Sequence, residues 1–169
     1  NRKLAAYGLA GQVNLEWKDC LQLDCNGLYD AIYSRDVFLH IHDKSRLFSV
    51  LHAALRTGGR LLFTDYCCGP KPWSDEFTGY VRNREYDLHT PEAYAGLIES
   101  AGFTSVIGED ISARFTEILQ AETNRIAKVG LEASVCEKLL GSWQQKIERS
   151  KAGDQRWGFF TAVKQTVQQ

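Results

Sequence analysis

The segment Ser34-Arg35-Asp36-Val37-Phe38-Leu39-His40 sets a carboxylate and an imidazole four residues apart. If the chain turns into a helix after Ser34, that spacing puts both side chains on one face, one turn apart. Imidazole suits proton transfer because its ordinary pKa of about 6.5 lies close to neutral pH. A neighbouring carboxylate attracts a cationic group. Each residue also has a purely structural reading: Asp36 can cap a helix start, and His40 can pack beside His42. A second group lies downstream. Tyr80 and Arg84, again four apart, share a helical face, with Tyr86 just beyond. A guanidinium offers a planar fork for oxyanions, whereas Lys is a mobile point charge. Tyr66 ends an apolar run, where packing alone would explain it. Lys146 lies in a stretch that reads equally well as an amphipathic helix with a solvated lysine.

These residues need elements to position them. Residues 2–9 read as the end of a helix closed by Gly8 and Gly11. Residues 13–17 alternate apolar and polar side chains and predict a strand. A second strand is predicted over 28–33, after the turn signal Asn26-Gly27. Helical periodicity over 45–55, through Leu47, Phe48, Leu51 and Leu55, ends at Gly58-Gly59. The run 61–63 then suits a buried strand of a parallel sheet. Helices follow at 75–84, with Ser74 as cap, and at 91–100, with Thr90 as cap, Pro91 in the first position and Glu92 complementing the dipole. A strand at 103–108, helices at about 111–129 and 134–151, and a last strand at 157–163 complete the pattern. Alternating strands and helices predict one α/β domain over residues 1–169, with an antiparallel pairing at its end. Ligands of such sheets sit beyond the carboxyl ends of the strands, which places Asp19, Ser34 to Asp36 and Asp65 to Cys67 on one rim.

Composition narrows the partners. The chain has 169 residues, 44% apolar and 24% charged, with a formal net charge of -1, so a core is expected and a nucleic-acid footprint is not. No apolar run approaches the roughly 20 residues of a membrane span, which predicts no membrane insertion. The cysteines Cys20, Cys25, Cys67, Cys68 and Cys136 are odd in number and irregularly spaced. Reduced thiols in a cytoplasmic protein are the expectation, with neither a disulfide framework nor a metal site.

The order of the motifs, SRDVFLH, a helix, GG, LLFTDYC, DEF, YVRNREYDLHT and finally QRWGFFTAVK, resembles the phosphoethanolamine N-methyltransferases over nearly the whole chain. Pieces such as the paired glycines before the apolar run are common to many methyltransferases. The joint occurrence of SRDVFLH, TDYC and the Tyr80–Arg84–Tyr86 segment is far more specific. The sequence departs at Thr57, where such enzymes usually have proline. The resemblance implies a Rossmann-like class I methyltransferase sheet with helical insertions near the substrate. It also implies S-adenosylmethionine as methyl donor, no metal, and a phosphobase substrate carried towards phosphocholine. It assigns His40 and Asp36 to catalysis, Asp36, Tyr66, Tyr80, Arg84, Tyr86 and Lys146 to substrate binding, and Asp19, Cys20 and Arg35 to the donor. In the family, a catalytic tyrosine that pairs with the histidine, and the acidic Gly-rich donor loop, lie upstream of the matched region. The chain is therefore expected to be the C-terminal part of a methyltransferase domain, inactive alone, with an upstream methyltransferase domain in the same protein as a further expectation. Two alternatives stand beside this reading: a class I methyltransferase of another small molecule, and a non-catalytic methyltransferase-like scaffold. The phosphate set Tyr80, Arg84, Tyr86 and Lys146 speaks against a sterol substrate, which has no phosphate.

Overall fold

The computed structural model describes residues 2–9, 11–126 and 128–165. Its strands are β1 (Tyr29–Arg35), β2 (Leu55–Cys68), β3 (Thr104–Asp110) and β4 (Gln155–Val163). Its helices are α1 (Arg2–Ala6), α2 (Lys44–Ala54), α3 (Asp75–Arg84), α4 (Pro91–Ser100), α5 (Ser112–Ile126) and α6 (Ala133–Ala152). The sheet order is β1-β2-β4-β3. β1 and β2 run parallel, while β4 runs antiparallel to both β2 and β3. The antiparallel pairing expected at the end of the chain thus forms, and β4 inserts between two strands that precede it.

β2 organises the molecule because its alternate side chains enter the main core on one face and, at its carboxyl end, a second cluster on the other. Leu61, Phe63, Asp65 and Cys67 point into the main core, where Phe63 stacks on Phe160 of β4 at 4.7 Å. α2 and α4 close that side through Leu47, Phe48, Leu51, Tyr94 and Ile98. Tyr66 points the other way and meets Trp157, its partner in the β2–β4 ladder, together with Phe115, Leu119 and Ile147 of α5 and α6. The helices with clear start signals begin where their caps predict. Ser74 accepts a hydrogen bond from the Phe77 amide, and Thr90 accepts one from the Ala93 amide ahead of Pro91.

Three local expectations are corrected. Residues 13–17 form no strand: an alternating segment stays extended only when a neighbour satisfies its backbone, and none of the described residues pairs with it. Trp17 is fully exposed, and Leu15 and Tyr33 are each about two-thirds exposed, at 64% and 67%. Gly58 and Gly59 do not close α2. The helix stops at Ala54 and the chain passes directly into β2, whose pairing with β1 jumps from Leu55 to Arg60 and loops out the glycines, with Gly58 at a φ of +78°. After Ser34 the chain makes one short 3-10 turn, Phe38–His40, instead of an α-helix.

Candidate active site

The carboxyl ends of β1 and β2 open onto a cavity of about 550 Å³ between the sheet, α3 and α6. Asp36, His40, Tyr66, Tyr80, Arg84, Tyr86 and Lys146 all line it, although they come from separate elements.

Asp36 follows directly on β1 at a φ of +52°, a backbone region that non-glycine residues adopt at some cost. The surrounding structure holds it there. The indole Nε1 of Trp157 donates to Asp36 Oδ1 at 2.8 Å, and Thr64 Oγ1 donates to the same oxygen at 3.1 Å. Asp36 is therefore no helix cap, and Val37, which opens the next turn, has no side-chain cap either. The second carboxylate oxygen lies 3.8 Å from Arg35 Nε, with the arginine side chain 68% exposed. One oxygen is pinned from the sheet and the other remains for a ligand.

His40 ends the 3-10 turn and its ring meets Tyr86 edge-on at 5.1 Å. Tyr86 in turn meets Tyr80 at 5.6 Å. The loop carrying Tyr86 is tied to the turn carrying His40, because the Asp87 amide donates to the Leu39 carbonyl at 2.9 Å. An aromatic wall thus connects the imidazole to the basic end of the cavity.

At that end Lys146 Nζ donates to the Tyr66 hydroxyl at 2.9 Å and lies 5.2 Å from the centre of its ring. Burial pushes the Tyr66 phenol up to about 12, with Asp36 and Tyr86 acting in the same direction. Burial also raises the Tyr80 phenol, reinforced by Tyr86. Both phenols are thus neutral donors at neutral pH. Burial lowers the Lys146 ammonium pKa; Tyr86 and Asp36 oppose the shift, while Arg84 and Arg149 add to it. Lys146 and the two arginines feel one another, an arrangement that is costly empty and suited to an anion.

The cavity also takes residues that sequence reasoning passed over. Ser142, Gln145 and Arg149 of α6 line it with Lys146. Their spacing of three and four residues along the helix is a visible signal, yet a polar stripe at that period ordinarily means a solvated face. Trp157 and Thr64, which pin Asp36, carried no sequence signal beyond strand composition.

Asp19, Cys20 and Arg35 stand apart from the cavity lining. Asp19 is exposed and its Oδ1 caps the short turn Cys20–Gln22 by accepting from the Leu21 amide at 2.9 Å. Because residues 13–17 are irregular, Asp19 and Cys20 do not end a strand. Cys20 is half-buried against the main core, and burial, then Asp19, raises its thiol pKa. On β2 next to Tyr66, Asp65 is fully buried, with Tyr94 Oη donating to its Oδ2 at 2.7 Å. Among the described residues no group of three or more His, Cys, Asp or Glu could hold a metal ion, and no helix is long and apolar enough to cross a membrane.

An α/β sheet with a polar cavity at the carboxyl ends of its parallel strands is the usual frame of a small-molecule binding site. The chain belongs to the methyltransferase-domain family, whose model matches residues 7–107. Within it, the chain is 39% identical over 166 residues to phosphoethanolamine N-methyltransferase 1 of Arabidopsis thaliana, covering 94% of this chain and 34% of that protein. It is 37% identical over 146 residues to phosphoethanolamine N-methyltransferase of Plasmodium falciparum, covering 80% of this chain and 54% of that one. It thus spans about a third of the plant relative and about half of the Plasmodium one. Among solved structures it is similar to Haemonchus contortus phosphoethanolamine N-methyltransferase 2 in complex with phosphomonomethylethanolamine and S-adenosylhomocysteine. The TM-score is 0.82 at 30% identity, over 88% of this chain and 36% of that one.

Proposed function

We propose that the protein carrying this chain transfers methyl groups from S-adenosylmethionine to the amine of phosphoethanolamine, of its mono- and dimethyl forms, or of both. The observation that carries this reading is the convergence of Tyr66, Tyr80, Arg84, Tyr86 and Lys146 on the cavity that also holds Asp36 and His40. The basic and phenolic end suits a phosphate monoester, whose oxygens accept from ammonium, guanidinium and hydroxyl donors. The amine then reaches towards Asp36 and His40.

The donor, when bound, supplies a methyl group activated by its sulfonium. The amine must offer a free lone pair, and in this reading His40, which lines the cavity, takes its proton. The nitrogen–methyl bond forms as the carbon–sulfur bond breaks, and no redox partner is needed. The free oxygen of Asp36 attracts the ammonium substrate and offsets the positive charge left on a fully methylated nitrogen. The Tyr86 ring, which meets His40, can face the same cation. Asp19, Cys20 and Arg35 remain our candidates for the donor's side of the site. Asp19 has one carboxylate oxygen engaged in its turn, which leaves the other for a ligand hydroxyl or amine.

The greater length of the relatives supports an upstream methyltransferase domain in the same protein. The free cysteines support a cytoplasmic setting. The test is methyl transfer from labelled S-adenosylmethionine to the phosphobases by the intact protein. Label in any of the phosphobases is expected; a folded protein that labels none of them sinks the proposal.

A further inference from the structure

The cavity shares one wall with an ion pair that lies outside the residues expected to bind phosphate. Arg149 of α6 is buried, and its Nε donates to both carboxylate oxygens of Glu76, at 3.1 and 3.0 Å. Its Nη2 donates to Glu76 Oε1 at 2.5 Å. The guanidinium carbon lies 3.7 Å from the centre of the Tyr80 ring. One arginine thus grips two residues of α3 that are four apart, and Arg84 continues the same row by another four. Lys146 precedes Arg149 by three on α6, so the side chain that grips α3 and the one that reaches Tyr66 share a helical face.

The first turn of α3 is fixed a second time at the end of α6. Ser74 Oγ donates to Asp154 Oδ2 at 2.5 Å, just past the helix. Tyr80 and Arg84 project from the later turns, where the cavity lies. Their aim therefore depends on how the first turn sits against α6. Arg suits this post better than Lys, because one planar group can both fork onto a carboxylate and stack on a phenol face.

We infer that the Glu76–Arg149 pair positions the phosphate pocket, with Arg149 holding the Tyr80 ring and keeping α3 in the register with α6 that makes Tyr80, Arg84 and Lys146 converge on one phosphate. The inference rests on the phosphobase reading above. Arg149 is here a positioning residue, acting through Tyr80 and α3. Glu76 keeps its guanidinium from competing with Arg84 and Lys146 for the anion.

The test uses steady-state kinetics of the intact protein with phosphoethanolamine or its preferred methylated form. The variants are Glu76→Gln, Arg149→Lys and the exchange Glu76→Arg with Arg149→Glu, with Arg149→Glu alone as the reference for the exchange, each with a thermal midpoint. Glu76→Gln and Arg149→Lys are expected to raise the phosphobase KM about 10-fold, with kcat and the donor KM within about 2-fold. The exchange is expected to recover thermal midpoint relative to the single change Arg149→Glu. Its phosphobase KM stays high, because a carboxylate then faces Tyr80. A phosphobase KM unchanged in both single variants overturns the inference. So does an exchange that restores midpoint and KM together, since that marks the pair as a fold contact only. A wild-type protein that turns over no phosphobase overturns the underlying reading, and it is separated from the other outcomes because it appears before any variant is made.

Discussion

Replacing Asp65 with asparagine isolates a buried carboxyl whose proton is part of the fold. Asp65 sits on β2 with no exposed surface, its Oδ2 accepting from Tyr94 and its Oδ1 without a partner among the described residues. Burial dominates and lifts its pKa from 3.8 to about 7, against the opposing effects of the Tyr94 hydrogen bond and of Lys44. The folded state therefore binds this proton more tightly than the unfolded chain does. The resulting stability is complete below about pH 4 and is lost as pH rises through about 7. At about 1.4 kcal/mol per pH unit, the loss between pH 5 and pH 8 is a few kcal/mol, roughly 2 to 3. An asparagine in its place has no such proton, while its side-chain carbonyl could still accept from Tyr94. Unfolding free energies of the intact protein and of Asp65→Asn, measured by denaturant at several pH values, should converge towards high pH or cross in favour of the variant. The difference between the two curves cancels the other titrating groups. Parallel curves across that range would mean that Asp65 carries no raised pKa in the fold.

Trp157→Phe keeps the ring that packs on Phe115 but removes the donor to Asp36 Oδ1. A hydrogen bond to a charged group contributes about 1.5–3 kcal/mol, so the melting temperature should drop, and kcat/KM for the phosphobase, measured well below the new midpoint, should fall by up to roughly 10- to 100-fold. His40→Ala should cut turnover strongly while donor affinity, read by calorimetric titration, stays close to intact. Lys146→Ala or Arg84→Ala should raise the phosphobase KM about 10-fold or more with a smaller effect on kcat, because these groups are placed away from the reacting nitrogen.

The parts of the fold that local chemistry dictates were legible from sequence. Ser74 and Thr90-Pro91 mark helix starts because their side chains satisfy amides that nothing else can reach. The run that ends in Tyr66 marks a central strand because Leu61 and Phe63 are buried in the core and strands pair with it on both sides. Residues 13–17 misled because alternation records a preference, whereas a strand also needs a partner. The paired glycines misled for another reason: they serve a loop between two paired registers of β2, which looks locally like a helix stop. In the site, spacing suggested two separate pairs, Asp36 with His40 and Tyr80 with Arg84, and only the family resemblance joined them in one site with Tyr66 and Tyr86. Lys146 came only from the family resemblance, since no local rule connects α6 to Tyr66. Trp157 and Arg149 stayed hidden because a strand tryptophan and a helix arginine have ordinary structural readings, and only their contacts with Asp36 and with Glu76 and Tyr80 distinguish them.

The central claim is that the basic, phenol-lined end of the cavity holds a phosphate while the amine meets Asp36 and His40. The most direct measurement is kcat/KM of the intact protein for phosphoethanolamine, or its preferred methylated form, against the same amine without phosphate. Two charge-assisted hydrogen bonds to the phosphate amount to about 3 kcal/mol or more, which predicts a preference of at least about 100-fold for the phosphorylated substrate. Equal kcat/KM for the two would contradict the account.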